Sequence, residues 1–208
     1  MQDKTTLTID AYNKNFSSYT EKFMNYSPYA KHVKDFAGFL EDGCKVLDLG
    51  CGPGNVAKQL KAEKSIEITG IDLSAEMLEA ARVNVPDGFF QLQDSRTVRF
   101  PPEYFDGVVL SFSIVHLYDR EMKKVLANAA VWLKSGGYLY LSFMEGKQPG
   151  FETTSFSSQP LYFNYFQKAA IEELLKEHGI DCFHSIRQDY LEPDGSITAD
   201  IFIFGKKL

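Results

Sequence analysis

The sequence predicts an α/β protein with a doubly wound, mostly parallel seven-stranded sheet that ends in an antiparallel hairpin. Three observations lead to this prediction. From about residue 45 to residue 179, short apolar segments alternate with helical ones, which is typical of a parallel sheet covered by helices on both faces. Residues 8–40 precede that alternation and have a helical pattern. The last two strand-like segments are joined by a short turn, so we expect them to pair antiparallel.

The N-terminal segment carries a stripe of aromatic residues. Their steps of four and three residues match one face of a helix; they are Tyr12, Phe16, Tyr19, Phe23 and Tyr26. We expect this face to pack on the rest of the chain. Pro28 ends or restarts the helix, and a second helix follows over 30–40. The chain therefore divides into a helical segment, 1–41, and a main domain, 42–208.

The main domain begins with a strand and continues as alternating elements. The predicted strands are 45–49, 66–71, 89–93, 105–110, 138–143, 182–190 and 197–204. The predicted helices are 55–62, 74–84, 120–133 and 167–178. Ser74 is a good N-cap residue for the second of these helices, and the SGG run at 135–137 is a C-cap signal for the third. The EPDG turn at 192–195 joins the last two strands.

Composition and charge exclude several classes of function. A net charge of −6 and a pI near 5.3 argue against nucleic acid as the partner, because phosphate binding needs surplus Lys and Arg. The N-terminus lacks a signal-peptide pattern, and no apolar run approaches the roughly 20 residues that span a bilayer. We therefore expect a cytoplasmic protein without membrane partners. The three cysteines have neither paired nor metal-ligand spacing, which predicts reduced thiols and no metal.

The DLGCGPG run at 48–54 follows the first strand and opens the first helix of the main domain. Glycines at this place let the backbone approach a ligand closely, and the free N–H groups of the helix start can face it. A dinucleotide fingerprint, G-x-G-x-x-G, would require glycine where Asn55 stands. A buried Asp48 two residues before the first glycine also suits an ammonium or sulfonium ligand better than a pyrophosphate.

The DLGCGPG run resembles motif I of the class I S-adenosylmethionine (SAM)-dependent methyltransferases, and four further segments are similar to later motifs of that family. They are GIDLS at 70–74, QDS at 93–95, FDGVV at 105–109 and LKSGGYL at 133–139. The resemblance covers about 42–208, includes the terminal hairpin, and implies SAM as the cofactor. Three alternatives remain open: a SAM-binding sensor or adaptor without turnover, a nicotinamide-dependent oxidoreductase, and a glycine turn that binds nothing.

The resemblance also implies which residues bind the cofactor. The glycine run lines the methionine part, Asp72 holds the ribose, Leu73 and Met77 flank the adenine, and Asp94 with Ser95 reads its edge. Met77 is equally compatible with an ordinary core position. Because N-terminal helices of the family often form a lid over the cofactor, Tyr12 and Tyr19 are also candidates to contact the cofactor or the substrate. The predicted cofactor-binding set is Tyr19, Asp48, Gly50, Cys51, Gly52, Gly54, Asp72, Leu73, Met77, Asp94, Ser95 and Ser111.

The SFSIVH segment at 111–116 follows the fourth strand, where the resemblance places residues near the reactive methyl group. His116 is the candidate catalytic residue, since an imidazole titrates near neutrality and can act as a general base; a structural role for it remains open. The family's Asn-Pro-Pro-Tyr type of motif, which accompanies methylation of DNA bases or glutamine, is absent here. Together with the acidic charge, this departure indicates a small-molecule acceptor.

A long connection, 151–166, follows the fifth strand and is rich in aromatic residues. A connection of that length favours a functional insertion or a lid. Its rings are suited to a flat or cationic substrate, and Tyr162 and Tyr165 are the candidates to hold it. The sequence gives no indication of the oligomeric state.

Overall fold

The computed structural model describes residues 3–191, 195 and 197–208. Its helices are α1 (Lys4–Lys14), α2 (Phe16–Phe23), α3 (Ser27–Ala37), α4 (Asn55–Glu63), α5 (Ala75–Asn84), α6 (Asp119–Trp132) and α7 (Lys168–Glu177). Its strands are β1 (Lys45–Leu49), β2 (Glu67–Asp72), β3 (Phe89–Leu92), β4 (Phe105–Ser111), β5 (Leu133–Glu145), β6 (Gly150–Thr154), β7 (Ser157–Phe163), β8 (Ile180–Leu191) and β9 (Ile197–Lys207).

Seven strands form one sheet in the order β3-β2-β1-β4-β5-β9-β8. The first five of these strands are parallel, whereas β9 runs antiparallel to both β5 and β8. The predicted fold class, including its C-terminal hairpin, is thereby confirmed. The predicted turn at 192–195 lies outside the described residues except for Gly195.

The central strands are buried on both faces because helices cover the sheet on both sides. Successive side chains of a strand point to opposite faces, so β1 contributes to two hydrophobic clusters. Leu47 packs on one side in the cluster that contains Leu126 of α6. Val46 lies on the other side, in the cluster that contains Phe36 of α3 and Leu60 of α4. Burying both faces fixes the carboxyl ends of β1, β2 and β4 at one edge of the sheet.

The N-terminal segment differs from the single helix that the aromatic stripe predicts. The chain forms α1 and α2 with a break at Asn15, and α3 begins before Pro28. The Asn15 side-chain amide donates to the Ala11 carbonyl over 2.8 Å and to Ser157 Oγ over 3.1 Å. These bonds stabilise the break and tie it to β7. No residue of α2 is fully buried, but Tyr12, Tyr19 and Phe23 contact Phe156 of the main domain, so the stripe packs on the rest of the chain as expected.

The connection after the fifth strand forms a hairpin, β6–β7, which the sequence interpretation missed. Thr154 pairs with Ser157, so a two-residue turn joins the strands. Thr, Phe and Tyr favour strands, and their alternation with polar residues was the available signal.

The SGG run was also misassigned, because it lies inside β5, where Gly136 has a φ of +81°. Strand β5 therefore starts directly at the end of α6.

Three further findings concern the described part of the chain only. Within it, no helix is both long and apolar enough to cross a membrane. The same residues include no group of three or more His, Cys, Asp or Glu side chains placed to hold a metal ion. Cys44, Cys51 and Cys182 are free thiols.

Candidate functional site

Two adjoining cavities open at the carboxyl edge of the parallel strands, where ligands bind in open α/β sheets. The first cavity measures about 120 Å³ and lies between α1, the glycine run and the ends of β2, β3 and β4. The second cavity measures about 230 Å³ and lies between the glycine run, the aromatic residues of α1–α3, β9 and the β6–β7 hairpin. Residues that line both cavities include Tyr12, Gly50, Ser111 and His116. The two cavities therefore share a wall.

The glycine run makes a tight turn that only glycine can form at its first position. Gly50 has a φ of +75°, and a Cβ built on it would lie 2.5 Å from the Cβ of Ser113. The backbone N–H groups of Gly50 and Cys51 both donate to the Ile71 carbonyl, over 2.8 and 3.0 Å. This turn holds the backbone of the run against β2 and the loop after β4, beside both cavities.

Asp48 is a buried carboxylate without a partner. Only 1% of the residue is exposed, and neither carboxylate oxygen has a hydrogen-bond partner among the described residues. Burial, and then the charge of Asp72, raise the pKa of Asp48 from 3.8 to about 7. A buried unpaired carboxylate is costly, and Asp48 lines the second cavity. The position is therefore suited to a ligand that carries a cationic donor such as an ammonium group.

Asp72 ends β2 and faces the first cavity. One carboxylate oxygen accepts from the Gly52 N–H over 2.8 Å and the other from the Ser74 N–H over 2.9 Å. Burial raises the pKa of Asp72, although these backbone bonds oppose the shift. Each oxygen keeps a further lone pair, so the carboxylate can accept two hydroxyl donors from one diol.

Asp94 also lines the first cavity, but it is already held by Arg96. The Arg96 Nε lies 2.9 Å from Asp94 Oδ1, and its Nη2 lies 2.7 Å from Oδ2. Burial alone would raise the pKa of Asp94, but the guanidinium outweighs it and lowers that pKa. Arg96 also binds Glu121 over 2.7 Å. The sequence analysis missed Arg96; its place two residues after Asp94 was the only available signal.

His116 lies in a short 3₁₀ helix, Ile114–His116, after β4. Its Nδ1 is 2.8 Å from the Tyr162 carbonyl, and a carbonyl can only accept, so we assign the proton to Nδ1. Nε2 then accepts the hydroxyl proton of Tyr12 over 2.9 Å. Burial is the main cause that lowers the pKa of His116 to about 4. The imidazole is therefore neutral at pH 7, and its Nε2 is a hydrogen-bond acceptor at the shared wall.

Aromatic rings form one wall of the second cavity, which we call the aromatic wall. Its members are Tyr12, Tyr19, Phe23, Tyr26, Tyr29, Phe112 and Phe156. Phe156, from the hairpin turn, stacks on Tyr12 at 5.7 Å between centroids and meets Tyr19 edge-on at 5.1 Å. Phe23 links this group to Tyr26 at 5.5 Å. The N-terminal stripe thus lines the cavity, and Phe16 alone among its five members is exposed and outside the wall.

A buried lysine holds α1 over the first cavity. Lys4 is 5% exposed, and its ammonium donates to the His116 carbonyl over 2.7 Å and to Glu121 over 3.1 Å. The same ammonium lies 3.8 Å from the ring centroid of Tyr118 and 4.6 Å from that of Tyr162. These contacts fix the position of the helix whose Tyr12 reaches the shared wall.

The structure brings together nearly all of the residues predicted for the site. Those that line the first cavity are Tyr19, Gly50, Gly52, Asp72, Leu73, Met77, Asp94, Ser95, Ser111 and His116. Asp48 and Cys51 line the second. Gly54 lines neither cavity; its φ of +78° opens α4, and the glycine packs against Ala81. Burial raises the pKa of the Cys51 thiol, which disfavours the reactive thiolate.

Two expectations for the connection after β5 need correction. Tyr162 is 8% exposed, and neither it nor Tyr165 lines either cavity. Tyr162 instead contacts Lys4 and Tyr118, whereas Tyr165 donates to Glu152 over 2.9 Å. The hairpin contributes other aromatic side chains to the second cavity, Phe156 and Phe163.

Most of the known proteins that the chain resembles are methyltransferases. A methyltransferase domain model matches residues 46–137. A demethylmenaquinone methyltransferase from Thermotoga maritima is 38% identical over 98 residues, which are 47% of this chain and 42% of that protein. The chain thus matches less than half the length of this relative.

Two solved structures are similar in fold at low sequence identity. A SAM-dependent methyltransferase from Methanosarcina mazei has a TM-score of 0.70 at 17% identity and covers 84% of this chain and 97% of that one. Phosphoethanolamine N-methyltransferase 2 from Haemonchus contortus, in complex with phosphomonomethylethanolamine and S-adenosylhomocysteine, has a TM-score of 0.75 at 16% identity. That match covers all of this chain, 100%, and 60% of the other.

Proposed function

We propose that the chain is a class I SAM-dependent methyltransferase that transfers the methyl group of SAM to a small-molecule acceptor by direct displacement. The methyltransferase domain match over residues 46–137 and the similar fold support this proposal. The observation that carries this proposal is the wall shared by the two cavities. A cofactor that occupies the first cavity and reaches Asp48 would pass this wall, and an acceptor would face it from the second cavity.

The donor set of the site fits SAM. Asp48 would pair with the ammonium of the methionine part, which explains an otherwise costly buried carboxylate. Asp72 would accept the ribose hydroxyls, and Leu73 and Met77 would flank the adenine at the edge where Asp94 lies. When bound, the cofactor supplies an electrophilic methyl group on a positively charged sulfur.

The chain's own contribution to methyl transfer is positioning and exclusion of water. Holding two reactants in line removes most of the entropic cost of their encounter, and a dry site strengthens the nucleophile. The aromatic wall supports this role, since its apolar rings line the second cavity beside the shared wall. No fixed set of catalytic side chains is required by such a reaction.

His116 is the group that we assign as proton acceptor. Its neutral Nε2 already accepts the Tyr12 hydroxyl, so an acceptor hydroxyl would donate to Tyr12 while Tyr12 donates to His116. A neutral imidazole also avoids placing a second positive charge near the sulfonium. We further propose that residues 1–41 act as a lid, because this segment supplies five of the seven rings of the aromatic wall.

The first test is isothermal titration calorimetry with S-adenosylhomocysteine (SAH), SAM and NADH. We expect SAH and SAM to bind with micromolar affinity. In Asp72→Ala the affinity should fall at least tenfold, because the hydrogen bonds to two ribose hydroxyls are removed. Asp87→Ala, at an exposed aspartate outside both cavities, is the matched control. Binding of NADH instead of SAH would support the oxidoreductase alternative and contradict the proposal.

Turnover separates an enzyme from a sensor. The protein is incubated with SAM labelled in the methyl group and a panel of small molecules, and the label is followed into product. Transfer to any acceptor that is faster than the protein-free reaction supports the proposal. Tight SAM binding with no transfer across the panel would favour the sensor alternative.

A further inference from the structure

The second cavity contains two buried carboxylates on different strands of the sheet. Asp48 lies on β1 and Asp200 on β9, and they are 1% and 7% exposed. Strands β4 and β5 separate β1 from β9. Neighbouring strands lie about 4.8 Å apart, and the register places Asp200 four residues beyond the position of β9 that is level with Asp48. The two residues are therefore roughly 20 Å apart in the sheet. Only Asp48 is therefore near the glycine run, and Asp200 belongs to the side of the cavity away from it.

The aromatic wall ends at Asp200. The hydroxyl of Tyr29 donates to Asp200 Oδ2, and the Tyr29 ring stacks on Phe112 at 5.3 Å between centroids. Tyr26 meets Tyr29 edge-on at 4.8 Å. A carboxylate is thus set into a group of three rings, all of which line the same cavity. Ring faces attract cations, and a carboxylate beside them strengthens that attraction.

The charges of the lining favour a cation further. Among the described residues that line the second cavity, the charged side chains are Asp48 and Asp200, and none is a lysine or an arginine. A phosphate or carboxylate ligand would therefore face two buried carboxylates and no lysine or arginine among these described lining residues. The net charge of −6 would also attract cations and repel anions on approach.

We propose that the acceptor is a small organic cation, whose ammonium-type group lies between Asp200 and the rings of Tyr26, Tyr29 and Phe112, and which carries no phosphate or carboxylate. This inference rests on the proposed function for the identity of the second cavity as the acceptor site. Under that assignment the ammonium of the cofactor pairs with Asp48, and Asp200 remains as the determinant of acceptor charge.

The test uses three ligands of similar shape and different charge, titrated by calorimetry into protein saturated with SAH. They are phenethylamine, which is cationic, 2-phenylethanol, which is neutral, and 3-phenylpropionate, which is anionic. We expect phenethylamine to bind at least tenfold more tightly than the other two. Asp200→Asn, which keeps an oxygen for Tyr29, is expected to abolish this preference. Asp181→Asn, an equal charge change at an exposed position of β8 outside the cavity, should retain it.

The outcomes separate this inference from the proposed function. Failure of SAH itself to bind would overturn the proposed function and the inference that rests on it. Normal SAH binding, with phenethylamine no tighter than the alcohol or with no binding of any of the three, would overturn the inference alone. Should Asp200→Asn not fold, Phe112→Leu replaces it. Loss of that one ring should weaken phenethylamine about fivefold and the alcohol less, and equal losses would overturn the inference.

Discussion

Tyr12 donates its hydroxyl to His116 Nε2 over 2.9 Å, and this bond joins two residues that are 104 positions apart in the chain. The other ring nitrogen of His116 lies 2.8 Å from the carbonyl of Tyr162, a further 46 positions along. The pair therefore connects α1, the loop after β4 and β7 at the wall between the two cavities. Any group that reacts across that wall does so beside these two side chains.

Removal of the Tyr12 hydroxyl should reduce turnover without loss of the cofactor. In Tyr12→Phe, His116 keeps its lone pair but loses the group through which it would take the acceptor's proton. We expect kcat to fall about 10- to 100-fold, with the Kd for SAH within about threefold of wild type. Steady-state kinetics and calorimetry measure the two quantities. Tyr104→Phe, at an exposed ring, is the control. An unchanged kcat in Tyr12→Phe would contradict proton transfer from the acceptor through Tyr12 to His116.

The buried imidazole of His116 should make stability depend on pH. Its pKa is lowered from 6.5 to about 4 by burial, so between these values the unfolded chain binds a proton that the folded chain does not. The stability contributed by neutral His116 is therefore complete above about pH 6.5 and is lost as the pH falls towards 4. His116→Asn lacks this dependence.

The measurement is the Tm of wild type minus that of His116→Asn, taken from pH 7 to pH 5. We expect the difference to decrease by about 3–6 °C on acidification, which corresponds to about 1–2 kcal/mol for a chain of this size. Other titrating groups are common to both proteins and cancel. A difference between wild type and His116→Asn that does not vary with pH would contradict the prediction.

Asp48→Asn should stabilise the free protein while it weakens cofactor binding. The folded pKa of Asp48 is raised from 3.8 to about 7, so the folded state binds the extra proton and stability is lost as the pH rises through that window. Above pH 7 the substitution removes a buried unpaired charge. We expect the Tm at pH 8 to rise by about 3–6 °C, with a smaller gain at pH 5.

The same substitution removes the partner that we propose for the cofactor's ammonium. We expect SAH to bind Asp48→Asn about 10- to 100-fold more weakly than wild type, as measured by calorimetry at pH 8. Asp106→Asn, a β4 carboxylate paired with Lys134 outside both cavities, should leave SAH binding unchanged. A variant of Asp48 that is less stable at pH 8 and still binds SAH would show that the carboxylate is a structural group.

The main domain was predictable because its elements are governed by local patterns. Strand β1 has the predicted bounds, and Ser74 caps α5 by accepting from the Met77 N–H over 3.1 Å. The N-terminal break was not predictable, since it depends on a hydrogen bond between Asn15 and Ser157 that spans 142 residues. Periodicity predicts an apolar helix face, but it does not tell whether that face packs on a core or lines a cavity.

That the residues proposed for the cofactor lie together was predictable for a chemical reason: a fixed ligand needs fixed donors, and these recur as motifs. The proposed acceptor side follows no motif and is assembled from distant segments. Asp200, Tyr29 and Phe156 come from β9, α3 and the β6–β7 turn, and nothing local in the sequence links them. Arg96 is intermediate, since it lies beside Asp94 in sequence but its second partner, Glu121, is 25 residues away.

Lys4 should determine how firmly α1 covers the first cavity. Lys4→Met keeps most of the side-chain volume but removes the bonds to the His116 carbonyl and Glu121, and Glu121 retains Arg96 as a partner. We expect a loss of about 1–3 kcal/mol, lower than for a fully broken buried pair, and faster amide exchange across α1. Mass spectrometry after hydrogen–deuterium exchange, with and without SAH, measures this effect. Lys31→Met, at an exposed lysine of α3, is the control, and equal exchange in the two variants would mean that packing of α1 on β7 alone holds the helix.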